Sequence, residues 1–499
     1  MGYYMGIDLG TSSVKIVLLN HNLDIVDSVS GEYNLNYPQP GWVEQNPEKW
    51  LKKINKSMKK IISSNNLYSK KLAIGVTGQM HGVVPLNKKG DIIYPCIIWA
   101  DRRTESEIKY IKNQLNSEDI DRLSNPVVDG FSAPKILWLK NNRDKLRGKL
   151  EKILLPKDYI IYKLTGEYIT DESDASGTLL FNIKKRKWDK KVLNKLEISQ
   201  QLLPEVNEPG TKAGYLKTSI REKLKLENEV PVIVAGGDAP MAAIANNITT
   251  PGKISICLGT AGQILTSLDK YKIDSKLRLH TLCHGVPDKW YMMGAIKAAG
   301  FCLQWWHRTV NGNNNISIEN LLKNAYKTSK PGANGLIFLP YLNNGERSPY
   351  MNPLAAGNLF GLQGEHKKGD ITRAILEGVA FAFRQNLEIM KKHNIKTDKI
   401  YITGGGSKSS YWCKIIASIL KQPVFSFENT RSSAYGAALS AVSMVTNKDY
   451  LNSSLDIKEN LQKYKPDKNA GSIYDKSYKI FKKLYQSNQE LFIELSRLR

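Results

Sequence analysis

One pattern occurs twice, about 250 residues apart. Residues 5–19 read MGIDLGTSSVKIVLL and residues 254–267 read ISICLGTAGQILTS. Each is an apolar strand, then Leu-Gly-Thr, then small residues, then a second apolar strand, the pattern of a β-hairpin with a tight turn. A second echo lies downstream in each half. Residues 72–79 (LAIGVTGQ) and 400–406 (IYITGGG) are both apolar strands that close on Thr-Gly. Repetition at so long a period points to two copies of one domain and not to a solenoid. Apolar residues at helical spacing over 371–393 and 409–421 alternate with these strands, which predicts α/β architecture. A Thr-Thr-Pro-Gly breaker after AAIANNI sets the expected boundary, giving domains 1–248 and 249–499 with a ligand cleft between them.

The length of 499 residues and the 41% hydrophobic content suit two such cores. The five cysteines are scattered and odd in number, which fits free thiols in a reducing cytoplasm. The segment MGYYMGIDLG lacks a basic n-region, so no signal peptide is expected, and no apolar run is long enough to span a bilayer. Lys and Arg outnumber Asp and Glu by 72 to 47, a net charge of +25. The lysines are dispersed in short pairs, without a dense arm carrying interleaved aromatics. Solvated helix faces explain them better than a nucleic-acid site, and no specific nucleic-acid or membrane partner is expected.

Phosphate chemistry needs backbone N–H groups that can approach the ligand closely, which Gly and small residues permit. Gly10-Thr11-Ser12-Ser13, with Lys15 beyond, offers one such loop, and Gly259-Thr260 offers another. Asp8 is placed to hold Mg²⁺, which favours a few carboxylates together with water and phosphates. Either loop alone reads equally as an ordinary turn; two in equivalent halves favour a nucleotide. Walker A and protein-kinase signatures are absent from the sequence. Gly404-Gly405-Gly406 ends a strand before the helix that starts near Ser409, a corner that could pass under a nucleotide or be a plain turn.

Residues 231–245 (PVIVAGGDAPMAAIA) run from an apolar strand through Gly-Gly-Asp into an Ala-rich helix. Asp238 would sit at the helix start, either as an N-cap or as the base that takes a proton from an attacking hydroxyl.

These features, with GFSAPKILWLKNN (130–142) and GNLFGLQGEHKKGDITRAILE (357–377), resemble the FGGY family of carbohydrate kinases, over Met5 to about Ser440. The resemblance implies two RNase H-like domains of the actin/Hsp70/hexokinase superfamily, with ATP and Mg²⁺ meeting a sugar in the cleft. TGQMHG (77–82), QPGWVEQNPEKW (39–50) and YLNNGERSPYMNP (341–353) are most similar to the branch that phosphorylates D-xylulose. In that reading Asp238 accepts the proton and Asp8 assists phosphate and metal placement. Met80 and His81 hold the ketose, and Thr260 meets the γ-phosphate. Gly300, Gln304, Gly405 and Ser409 line the nucleotide site, and a homodimer is the expected assembly.

Asp101 and Arg102 are candidates for the border of the sugar pocket, with a structural ion pair as the competing view. Ala239 stands where many members of that branch carry Asn, so L-xylulose, ribulose, gluconate and glycerol remain alternative acceptors. A non-catalytic ATP-binding protein is a further alternative. His280, Cys283 and His284 lie close in sequence, but no fourth ligand is evident, so a zinc site is not expected.

Overall fold

The computed structural model describes residues 2–142, 146, 148–311, 316–343, 345–428, 431–452 and 460–498; Asn344, inside one of the resemblance segments, lies outside this set. Both Leu-Gly-Thr segments are hairpins, and each seeds a sheet. The first sheet contains β1 (Gly2–Leu9), β2 (Ser13–Leu19), β3 (Ile25–Glu32), β4 (Lys71–Gly78), β5 (Thr211–Tyr215) and β6 (Pro231–Gly237), in the order β5-β6-β4-β1-β2-β3. The second contains β7 (Gly252–Leu258), β8 (Gly262–Leu268), β9 (His280–Cys283), β10 (Trp290–Ile296), β11 (Thr397–Thr403), β12 (Val424–Phe427) and β13 (Leu461–Tyr464), in the order β9-β10-β8-β7-β11-β12-β13.

The duplication is visible in the pairings. β1 is antiparallel to β2 and parallel to β4, which is parallel to β6. Likewise β7 is antiparallel to β8 and parallel to β11, which is parallel to β12. The inner strands are apolar almost throughout, as strands covered on both faces must be. The edge strand β3 alternates between exposed and half-buried positions.

Five helices frame the space between the sheets: α1 (Asp238–Ala245), α2 (Gly300–Asn311), α3 (Lys368–Lys392), α4 (Ser410–Leu420) and α5 (Ser433–Thr446). The helices expected over 371–393 and 409–421 are α3 and α4. Ile375, Leu376, Val379 and Phe383 of α3 are fully buried in the second core, at about 1.5–3 kcal/mol each.

Two helices cross between the halves. α1 follows β6, yet its Ala243 packs with Leu265, Tyr291, Met293 and Tyr401 of the second sheet. α5 follows β12, yet it lies on the first sheet beside Tyr4, Val17 and Ala73. Gly6 and Gly75 make that approach possible: a Cβ on either would stand 1.8 Å from Ala434 O or 1.9 Å from Ala437 O. The expected division at 248/249 thus separates the two sheets but assigns α5 to the half it does not cover. Residues between β4 and β5 build a further core around Phe131, Trp138, Phe181 and Ile183. Among the described residues no helix is long and apolar enough to cross a membrane.

Candidate active site

The first hairpin loop is held from below. The Tyr33 hydroxyl donates to Gly10 O, the Gln45 amide to Thr11 O at 2.6 Å, and the Trp99 indole to Thr11 Oγ1 at 3.0 Å. Gln79 braces Gln45 at 2.7 Å. Thr11 Oγ1 therefore accepts from the protein and keeps its own proton to donate. Ser12 is exposed, and Ser13 and Lys15 are half-buried on β2.

Asp8 ends the β1 side of this turn, opposite Lys15 in the hairpin register. Its Oδ2 accepts from the Ser433 hydroxyl, at the start of α5. Its Oδ1 is buried without a hydrogen-bond partner among the described residues. Burial raises the Asp8 pKa, while Ser433 and Lys15 pull it back down. An unpaired, inward carboxylate oxygen beside a phosphate-type loop fits a hard cation such as Mg²⁺.

Asp238 is the first residue of α1. The capping position falls on Gly237, and the Asp238 carboxylate accepts from the neighbouring N–H of Ala239, at 2.7 Å, and from its own N–H. The cap expected as the alternative role is therefore displaced by one residue. Burial, and then the charge of Asp8, push the Asp238 pKa to about 7. Asp238 in turn raises the Cys257 thiol on β7, after burial. The base candidate thus lies within electrostatic reach of both hairpins.

Met80 lies against the backbone that leads into Asp238. A side chain on Gly237 would run into Met80 at 2.8 Å, and the Tyr291 hydroxyl points at Met80 Sδ from 3.8 Å. His81 has φ 70° and places Nδ1 2.6 Å from Gly177 O. Burial lowers its pKa to about 3, so the ring is neutral. A carbonyl only accepts, so Nδ1 carries the proton and Nε2 keeps a lone pair for a hydroxyl donor.

The Asp101-Arg102 expectation divides. Asp101 is fully buried, paired with Arg103 at 2.6 Å and accepting from Val43 N at 2.5 Å. It fastens a loop, and its ion-pair partner is Arg103, not Arg102. Arg102 instead reaches across to Asn343 O at 3.0 Å. Nearby, Arg347 stands 4.0 Å from Asp129. Burial of Asp129 is outweighed by Arg347, Lys297 and Arg102, which keep its pKa below the ordinary value.

The nucleotide candidates of the second half share one cavity, which those of the first hairpin, Gly10 to Lys15, do not line. A cavity of about 1070 Å³ is lined by Gly259, Thr260, Gly300, Gln304, Gly405, Gly406 and Ser409, with apolar walls from Leu303, Leu322 and Tyr326. Gly404 stands beside them at φ 79°, and a Cβ there would meet the Leu258 carbonyl carbon at 2.8 Å. A Cβ at Gly405 would meet no other described residue within 4 Å. Ser409 caps α4, its Oγ accepting from Trp412 N at 3.2 Å.

His280 Nδ1 bonds Asn125 at 3.0 Å, and His284 Nδ1 accepts from Val286 N at 3.0 Å. Ser433, Tyr33, Gln45, Trp99 and Arg347 were missed by sequence reasoning; each is a single polar or aromatic residue brought in from a distant segment.

Residues 3–245 match the N-terminal domain, and residues 254–445 the C-terminal domain, of the FGGY family of carbohydrate kinases. The chain belongs to this family. This FGGY kinase is 34% identical over 442 residues to a xylulose kinase of Staphylococcus xylosus, covering 88% of this chain and 90% of the relative. It is 29% identical over 507 residues to a gluconokinase of Bacillus subtilis (strain 168), covering 99% and 96%. A ligand-bound xylulose kinase structure from Lactobacillus acidophilus superposes with a TM-score of 0.93 at 26% identity, covering 99% of this chain and 100% of that one. The kinase is thus a sugar phosphotransferase of the two-domain actin/hexokinase-like fold, with a nucleotide as phosphoryl donor.

Proposed function

We propose that this kinase transfers the γ-phosphoryl group of ATP to D-xylulose, giving D-xylulose 5-phosphate and ADP, with Asp238 as general base. The observation that carries this reading is Asp238 itself: a carboxylate at a strand end, with a pKa near 7, within electrostatic reach of Asp8 and one residue beyond the Gly237 that packs on Met80. The names of relatives at 30–34% identity support xylulose as the acceptor.

In this mechanism Met80 gives the ketose an apolar contact, and His81 Nε2 accepts from one of its hydroxyls. Asp238 accepts the hydroxyl proton as the sugar oxygen bonds to phosphorus and the bond to the ADP oxygen breaks. Thr11 and Thr260 donate to phosphate oxygens, and the cavity beside Gly405 takes the nucleoside. Mg²⁺ bound at Asp8 Oδ1 would neutralise phosphate charge. Approach of the two halves, linked at Arg102 and Asn343, excludes water as a competing acceptor. The free thiols suit a cytoplasmic setting.

ADP release measured against a panel of ketoses, gluconate and glycerol tests the acceptor, and preference for another compound would replace xylulose. Asp238→Ala should lower kcat by roughly 10²–10⁴. Unchanged turnover would remove the base assignment.

A further inference from the structure

One peptide group, between Gly236 and Gly237, is gripped at both ends by side-chain hydroxyls. Thr77 Oγ1 donates to Gly236 O at 2.7 Å, and Gly237 N donates to Ser173 Oγ at 3.0 Å. The grip sits at an irregularity in the pairing of β6 with β4, between Val234 and Gly236, where a strand is re-aimed. Gly236 has φ 148°, and a Cβ on it would meet Ser173 Oγ at 3.0 Å.

The Ser173 end cannot turn freely. Its hydroxyl proton is committed to Asp171 Oδ2, which also accepts from Ser173 N at 2.8 Å. Asp171 is in turn fixed by Lys157 at 3.1 Å, a fully buried ammonium that also holds Asp158 at 2.5 Å and faces Asp174 at 3.6 Å. With its proton so directed, Ser173 offers only a lone pair to Gly237.

We propose that Ser173 and Thr77 are positioning residues for the base, acting as a two-ended clamp that fixes the peptide plane one residue before Asp238 and is tied through Asp171 to Lys157. Among the described residues the Asp238 carboxylate is held by backbone alone, the adjacent Ala239 N–H and its own N–H. Its aim therefore depends on the backbone that enters α1. Rotation of the clamped peptide would swing the Asp238 Cα relative to the sugar oxygen, and misplacement of about 1 Å is costly in rate. Burying one ammonium among three carboxylates is expensive, which makes sense if the return is a fixed geometry. This inference rests on Asp238 being the base.

The test is kinetic. Ser173→Ala and Thr77→Val should each lower kcat roughly tenfold or more, with KM for ATP within about twofold. Thr77→Ser should restore most of the rate. In an Asp238→Asn background, Ser173→Ala should change the residual rate by less than about twofold, because no base remains to aim. A Ser173→Ala enzyme with near wild-type kcat, or one losing the same factor in the Asp238→Asn background, overturns the clamp. If Ser173→Ala does not fold, Thr77→Val reads the other end by the same criteria. If Asp238→Asn turns over normally, the base assignment and the clamp fall together. If Asp238→Asn is inactive while Ser173→Ala is not impaired, the clamp alone fails.

Discussion

The hydroxyl of Ser433 donates to Oδ2 of Asp8, joining residues 425 positions apart at the point where α5 meets the first hairpin. A hydrogen bond to a buried carboxylate contributes about 1.5–3 kcal/mol. Ser433→Ala leaves both Asp8 oxygens without a donor among the described residues and raises the Asp8 pKa further. The expected result is roughly a tenfold or greater rise in KM for Mg-ATP with KM for the sugar little changed, read from steady-state kinetics at several Mg²⁺ concentrations.

The pKa of Asp238 makes a stability prediction and an activity prediction of opposite sense. Its folded value of about 7 lies above the ordinary 3.8, so the native state binds the proton more tightly than the unfolded chain does. This group therefore favours folding most at acid pH, and its contribution is lost as pH rises from about 4 through about 7. Asp238→Asn, which removes the charge, should melt above the wild type at pH 8, with the difference closing toward pH 4. Turnover runs the other way, because a protonated carboxyl cannot accept the sugar proton. The wild-type rate in the free enzyme should fall below about pH 7, and kcat/KM profiles against calorimetry at matched pH check both halves.

Gly6 and Gly75 lie under the backbone of α5 at distances that admit no Cβ. A backbone oxygen cannot move aside as a flexible side chain can. Gly6→Ala or Gly75→Ala should cost about 3 kcal/mol or more, beyond ordinary overpacking, seen as a lower urea midpoint. Separation of α5 from the sheet would also remove Ser433 from Asp8, so nucleotide use should weaken in whatever folds.

Neighbouring glycines in the 404–406 turn should behave differently. Gly404 combines φ 79° with close backbone contact, so Gly404→Ala should destabilise the fold. Gly405 faces open space in the cavity, so Gly405→Val should leave the melting temperature nearly unchanged but weaken ATP binding roughly tenfold, measurable by calorimetric titration.

The duplicated sheets, the two hairpins, α3 and α4 were legible because hydrophobic periodicity and Leu-Gly-Thr turns are local signals. The glycines Gly259 and Gly405 of the cavity wall were visible too, because lack of side-chain bulk is itself a signal. Ser433 could not be found this way. A serine at a helix start reads as a cap, and only the crossing of α5 onto the first sheet brings it to Asp8. The ion pair of Asp101 could not be assigned for a similar reason: adjacent residues after a strand diverge, and the bidentate geometry fell to Arg103 and not to Arg102.

The crossing of α1 and α5 bears on how the chain can be divided. A gene cut after codon 248 would encode a first fragment whose sheet lacks its covering helix, and a second fragment whose α5 has no surface to rest on. Neither should accumulate as a stable product by itself. Made together in one cell, the two pieces could restore each other by exchanging those helices, so activity in such a split pair would report on their reunion.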